Sequence, residues 1–202
     1  MDRIKPRDIQ LVQRLGRFEK PYWSVADLQK VLSYKNRRTL LVALHRLVRQ
    51  GVLIRMRRGI YRVSLRSADP AVMANLLYRP SYLSFESALA RHGILSQIPY
   101  TVTLATTRRS KKATLDGTAV EYRMLRADLF FGHRIVKGLD VAEPEKALLD
   151  ALYLMKRGRL SLPLEELDLS GLSAGKLKSY AARFPGYVRS VLAALQGARL
   201  QI

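Results

Sequence analysis

The stretch from Ser24 to Val63, SVADLQKVLSYKNRRTLLVALHRLVRQGVLIRMRRGIYRV, constrains the fold more than any other part of the chain. Ser24 followed three residues on by Asp27 is a helix start in which each residue can satisfy the other's backbone. Behind it, Val25, Leu28, Val31 and Leu32 fall on one helical stripe. Ser33–Asn36 is polar and interrupts that pattern. The spacing predicts a second helix from about Arg37 to Gln50, with Gly51 supplying a left-handed stop. Leu40, Leu44, Leu47 and Val48 share one face of that helix, and Arg38, Val42, His45, Arg46 and Arg49 share roughly the opposite one. Such a helix can pack its apolar side and offer its basic side to a polyanion. Val52–Arg55 and Ile60–Val63 then predict two short strands joined around Met56-Arg57-Arg58-Gly59. Helix, turn, basic helix and arginine-tipped hairpin is the order of a winged helix-turn-helix, whose second helix enters the major groove while the wing holds phosphates. A basic amphipathic helix on its own is most often a solvated face. The accompanying helix, turn and hairpin shift the balance to DNA.

Charge supports this. The chain has 202 residues with 36 Lys and Arg against 16 Asp and Glu, a net charge of +20, which calls for an anionic partner. The excess is uneven: residues 1–66 carry 17 basic and 4 acidic side chains, net +13, and the other 136 carry 19 and 12, net +7. Cysteine is absent, which excludes a disulfide framework, a thiolate metal site and a cysteine nucleophile. The start, Met1-Asp2-Arg3, leads into a charged amphipathic segment without the apolar core of a secretory signal, and no apolar run is long enough to span a membrane. The expectation is a cytoplasmic protein with no membrane partner.

In chain order, Ile9, Val12, Leu15 and Phe18 mark one face of a first helix over 7–18, and Trp23 reads as a core or staple residue. The polar LRSADP run, 65–70, predicts a boundary between a DNA-binding domain, 1–66, and a C-terminal domain, 67–202. Ala71–Tyr78 reads as a linking helix ended by Arg79-Pro80. Beyond it come a helix at Ser84–His92 and a strand at Tyr100–Thr107. The basic connection Arg108–Lys112 leads to a strand at Thr118–Leu125 after the Asp116-Gly117 turn, and a third strand follows at His133–Val136. Glu143-Pro144-Glu145 opens a strongly apolar helix that stops at Gly158, and shorter helices follow at Ala174–Arg183 and Tyr187–Leu195. The fold class expected is α+β: a winged helix-turn-helix followed by a small domain with a mixed or antiparallel sheet.

A catalytic set is hard to assemble from these residues. The three histidines, His45, His92 and His133, have no metal-ligand spacing, and the glycines form no phosphate loop. The acidic cluster Glu143, Glu145 and Asp150, with Lys146, lies at a helix start, where capping accounts for the glutamates and an i, i+4 pair accounts for Lys146 and Asp150. A metal-dependent nuclease would want carboxylates converging at a strand edge. The expectation is a protein that is not an enzyme and uses no metal or cofactor.

Three stretches carry a family likeness: TLLVALHRLVRQGVLIRMRRGIYRV with its closing Gly59-Ile60-Tyr61, YLSFESALARHGI from Tyr82 to Ile94, and VAEPEKALLDALYL from Val141 to Leu154. Together they resemble the AbiEi antitoxins of abortive-infection, type IV toxin–antitoxin systems, over roughly residues 7–160. The latter two stretches, in this order and spacing, are the more specific. The resemblance implies a protein whose N-terminal domain binds inverted repeats of double-stranded DNA in its own promoter and represses the operon. It implies that the C-terminal domain counteracts a nucleotidyltransferase-like toxin without a stable complex. Some relatives carry a nuclease-like domain instead, and the missing carboxylate set argues against that branch. A regulator with a ligand-sensing C-terminal domain and no toxin is the alternative.

On this reading Arg37, Arg38, Thr39, Val42, His45 and Arg46 face base edges or flanking phosphates, and Lys35, Asn36 and Arg49 anchor the helix ends. Arg55, Arg57 and Arg58 on the wing hold phosphates or reach the minor groove. Arg108, Arg109, Lys111 and Lys112 are candidates for a second anion contact.

Overall fold

The computed structural model describes residues 6–18, 20–64 and 69–199. It is a mixed α+β structure in which the chain divides into two compact units between Asp69 and Pro70. The boundary expected from sequence, at 66/67, falls outside the described residues.

The first unit contains α1 (Pro6–Gly16), β1 (Trp23–Ser24), α2 (Val25–Val31), α3 (Arg37–Arg49), β2 (Leu53–Arg57) and β3 (Ile60–Val63). Its three strands are antiparallel in the order β1-β3-β2. Sequence patterning gives no hint of β1, which is two residues long and pairs Trp23 with Tyr61. The start of α2 is a full capping box: Ser24 Oγ accepts from the Asp27 backbone N–H at 3.1 Å, and Asp27 Oδ2 accepts from the Ser24 N–H at 2.9 Å. Leu11 and Leu15 of α1, Leu28 of α2, Leu40, Leu44 and Leu47 of α3 and Leu53, Tyr61 and Val63 of the hairpin enclose one apolar core around Trp23. The assignment of Ile9 and Val12 to that face of α1 concerns side chains outside the described ones. Phe18, which the spacing places on the same face, is 48% exposed and meets Trp23 edge-on with ring centroids 5.5 Å apart. Each fully buried leucine contributes about 1.5–3 kcal/mol, so α3 is fixed mainly by its apolar face. Its opposite face is left to the solvent.

The second unit is built on a six-stranded mixed sheet in the order β6-β7-β5-β4-β9-β8. The strands are β4 (Ser81–Leu83), β5 (Thr101–Thr106), β6 (Lys111–Leu115), β7 (Thr118–Met124), β8 (His133–Val136) and β9 (Leu139–Ala142). Sequence reading finds three of them. It misses β4 and β9, three and four residues long, and takes the start of β6 for a loop. The Asp116-Gly117 and Lys137-Gly138 turns, with all four residues at positive φ, close the β6–β7 and β8–β9 hairpins. The helix expected to link the halves, α4 (Pro70–Leu77), is no linker: Ala71 to Leu76 are buried, and Ala74 packs with Leu104, Val120 and Tyr122 of the sheet. α5 (Phe85–Arg91) follows, and His92 at its end donates from Nε2 to the Ala142 carbonyl at 2.8 Å, tying it to β9. α6 (Pro144–Met155) is the core helix, buried from Glu145 through Leu154, with α7 (Ala174–Ala181) and α8 (Gly186–Arg199) after it. Among the described residues no helix is long and apolar enough to cross a membrane.

Candidate nucleic-acid interface

Asn36 begins α3 by accepting the Arg38 backbone N–H on Oδ1 at 2.7 Å. That fixes Asn36 as the helix cap and leaves its amide N–H groups to reach outward. Past the cap, Leu40, Ala43, Leu44 and Leu47 are buried, while Arg37, Arg38, Thr39, Leu41, Val42, His45 and Arg49 are exposed, as is Lys35 just before it. Arg46, expected among the base-facing residues, is half-buried at the side of this face, because it lies closer in angle to the buried Ala43 than Arg38 does. The centre of the outward face is Val42, 68% exposed, with Arg38 one turn before it and Arg49 two turns after. The α3 sequence contains no acidic residue. A helix shaped like this presents charge and one apolar point together.

Between α3 and the wing lies a cleft of about 520 Å³ lined by Arg37, Leu41, His45 and Val48 of α3, by Arg55, Arg58 and Tyr61 of the hairpin, and by Val25 and Gly59. β2 runs two residues further than the sequence suggests, so Arg57 is in the strand and the turn is Arg58-Gly59. A bulge between Arg55 and Arg57 breaks the simple alternation and lets Arg55 and Arg58 face the cleft, with Arg57 exposed but outside its lining. Gly59 holds the turn at φ +79°, and its carbonyl accepts the Val25 N–H at 3.0 Å, which ties the wing to the start of α2. Sequence reasoning passes over Leu41, which is 43% exposed in the cleft. Its place in the row Arg37, Leu41, His45, Val48 is the signal that could show it. The cleft therefore carries cations on both walls and an apolar floor.

Residues 26–64 match the AbiEi antitoxin family of transcriptional regulators. The AbiEi match begins in α2 and ends just after β3, so it spans α3, the cleft and the wing. The crystal structure of the RV2827C protein from Mycobacterium tuberculosis is similar in fold over 96% of this chain and 78% of that one, with a TM-score of 0.65 and 17% sequence identity. No curated protein sequence matches the chain.

Outside the AbiEi-matched segment, the second basic group is organised differently from a free loop. Arg108 stacks on Tyr78 at 4.3 Å from the ring centroid, and its Nη1 donates to the Arg79 carbonyl at 3.4 Å. Tyr78 OH donates to the Arg109 carbonyl at 2.9 Å. Lys111 and Lys112 are not on a turn but open β6, an edge strand of the sheet, where exposed lysines also discourage pairing with another chain. All four side chains are exposed.

The acidic group of α6 does not converge either. Glu143 accepts from Tyr180 OH at 2.6 Å and Lys176 Nζ at 3.2 Å, and these bonds hold its carboxyl below the usual range. Neither glutamate caps α6 with its side chain as expected; Glu145 Oε1 instead accepts the Ser173 backbone N–H at 2.8 Å, at the start of α7. Lys146 and Asp150 do pair at i, i+4, but in the core and not on the surface, with no exposed side-chain area. Tyr82 OH and Ser84 Oγ both donate to Asp150 Oδ2, at 2.9 and 2.8 Å, and Lys146 Nζ donates to Tyr82 OH at 2.7 Å. Burial pushes the Lys146 ammonium down and the Asp150 carboxyl up, each against the pull of the other charge. A carboxylate so enclosed is a strut of the core. Among the described residues no group of three or more His, Cys, Asp or Glu side chains could hold a metal ion.

Proposed function

We propose that the chain is a DNA-binding antitoxin that represses its own operon, with α3 in the major groove and the β2–β3 wing on the phosphates. The observation that carries the reading is the outward face of α3: Arg38, Val42, His45 and Arg49 centred opposite the buried leucines, continuous with the arginines of the wing cleft. The AbiEi match over the same residues supports it. Residues up to Asp69 are then the DNA-binding domain and those from Pro70 the antitoxin domain, both acting in the cytoplasm. Arg37, Arg38, Thr39, Val42 and His45 address base edges and adjoining phosphates, with Arg46 at the edge of this set. Lys35, Asn36 and Arg49 hold the ends, Arg55, Arg57 and Arg58 take phosphates, and Arg108, Arg109, Lys111 and Lys112 add a second anion contact. The C-terminal unit counteracts a nucleotidyltransferase-like toxin without a lasting complex, a reading that rests on the family resemblance.

The test of the DNA arm is a footprint on the region upstream of the gene, together with a reporter driven by that region. Protection of inverted repeats and repression lost on Arg38→Ala would bear the proposal out; an unprotected promoter would remove it. The toxin arm is tested by co-expression with the adjacent gene. Rescue of growth by residues 70–202 alone is the expected result, and a toxic neighbour that the full chain fails to restrain is the contrary one.

A further inference from the structure

The middle of the basic helix face carries a valine. Val42 is 68% exposed and Leu41, next to it, is 43% exposed. Arg37, Arg38, His45, Arg49, Arg55 and Arg58 surround them, with no acidic residue in α3 or in the wing from Leu53 to Val63. An apolar point inside such a ring suits a partner that is itself apolar there yet embedded in negative charge. A second copy of the chain is a poor match, because a symmetric contact through this face would set the same cations against each other. The major groove of DNA offers the required pairing, since thymine is the base whose edge there ends in a methyl group between rows of phosphates.

We infer that Val42 reads the C5-methyl group of a thymine, and that Arg38, one helical turn earlier, reads a guanine close by. The assignment rests on the DNA-binding reading above and adds to it the base that the apolar point selects. Residues four apart on α3 are about 6 Å apart along its axis, so the thymine lies within about two base steps of the guanine. Leu41, turned toward the wing, closes the side of the contact and keeps water from the methyl group.

Deoxyuridine differs from thymine only in lacking that methyl group, which makes it the probe. Thymines in the duplex from upstream of the gene are replaced one at a time, and affinities of the full-length protein are measured beside a scrambled duplex. One thymine in each half-site should matter, its replacement weakening binding about fourfold, the worth of burying one methyl group. In Val42→Ala, which opens no core cavity because the side chain is on the surface, thymine and deoxyuridine duplexes should bind equally at that position. Arg38→Ala, which lies on the same face, should keep the methyl preference. Uniform indifference of the wild type to deoxyuridine, with own-duplex preference intact, would overturn the thymine assignment and leave the DNA reading standing. So would a methyl preference that survives Val42→Ala, or a Val42→Ala variant changed only in the mass of the free protein, which would make the patch a protein contact. Equal binding of own and scrambled duplexes would defeat the DNA reading and this assignment with it.

Discussion

At the scale of single residues, the N-terminal unit is held in register by small polar contacts whose strength depends on pH. Partial burial raises the Asp27 carboxyl, but hydrogen bonds from Lys20 and Ser24 outweigh it and bring it to about 2. An unfolded aspartate titrates near 4. A carboxyl depressed in the folded state adds stability above its unfolded value, and that addition fades as pH falls from about 4 toward 2. The only tryptophan, Trp23, is buried in the core of the same unit, so its fluorescence follows the unfolding. The stability advantage of wild type over Asp27→Asn should shrink across that window; an advantage independent of pH would place the effect elsewhere. The cations act at the same scale but divide by location. Arg38 on the outward face should set sequence preference, so Arg38→Ala should bring own and scrambled duplexes closer together by about 1–3 kcal/mol. Arg57→Ala with Arg58→Ala should weaken both duplexes alike. Identical behaviour of the two variants in a competition titration would mean that helix and wing do not divide base reading from phosphate binding.

Among the elements, α3 shows why part of this molecule is legible in sequence and part is not. Its length, buried leucines and outward arginines are written within its own residues, at spacings that a helix turns into faces, whereas Asn36, read from sequence as an anchor on DNA, is its cap. The wing is nearly as plain, though a bulge at Met56 moves Arg57 out of the loop and decides which arginines face the cleft. β1 and β4 escape because strands of two and three residues are too short for alternation to register, and their pairing is settled by partners far away in sequence. β9 pairs with the adjacent β8, but its four residues are also too few for alternation to register and run straight into the start of α6. Lys146 and Asp150 show the same limit in chemistry. An i, i+4 pair looks the same whether solvated or enclosed, and what encloses this one, Tyr82 and Ser84, stands more than 60 residues earlier. The cost of breaking it follows from its burial. Asp150→Ala strands an ammonium group in the core and should lower unfolding free energy by about 3–5 kcal/mol in urea titrations. The double change Lys146→Met with Asp150→Leu should cost less than that single one, because no charge is left unpaired. A milder Asp150→Ala would mean that Lys146 finds another partner or is neutral when folded.

Across the whole molecule, the charge is divided as unevenly as the proposed labour. Net charge of +13 on residues 1–66 against +7 on the remainder puts the strongest field where α3 and the wing would meet their ligand. A field of that size attracts any polyanion, so affinity alone would not distinguish a reader of sequence from a basic surface. The deciding measurement is a titration of the purified protein against DNA from immediately upstream of its gene and against a scrambled duplex, each over a range of salt concentrations. With roughly six phosphates neutralised, log affinity should fall against log salt with a slope of about −5 on both duplexes. The upstream duplex should nevertheless bind more tightly throughout, by a margin that persists as salt rises. Equal affinities with equal slopes would contradict the central claim, since the +20 charge would then account for all of the binding and α3 for none of the choice.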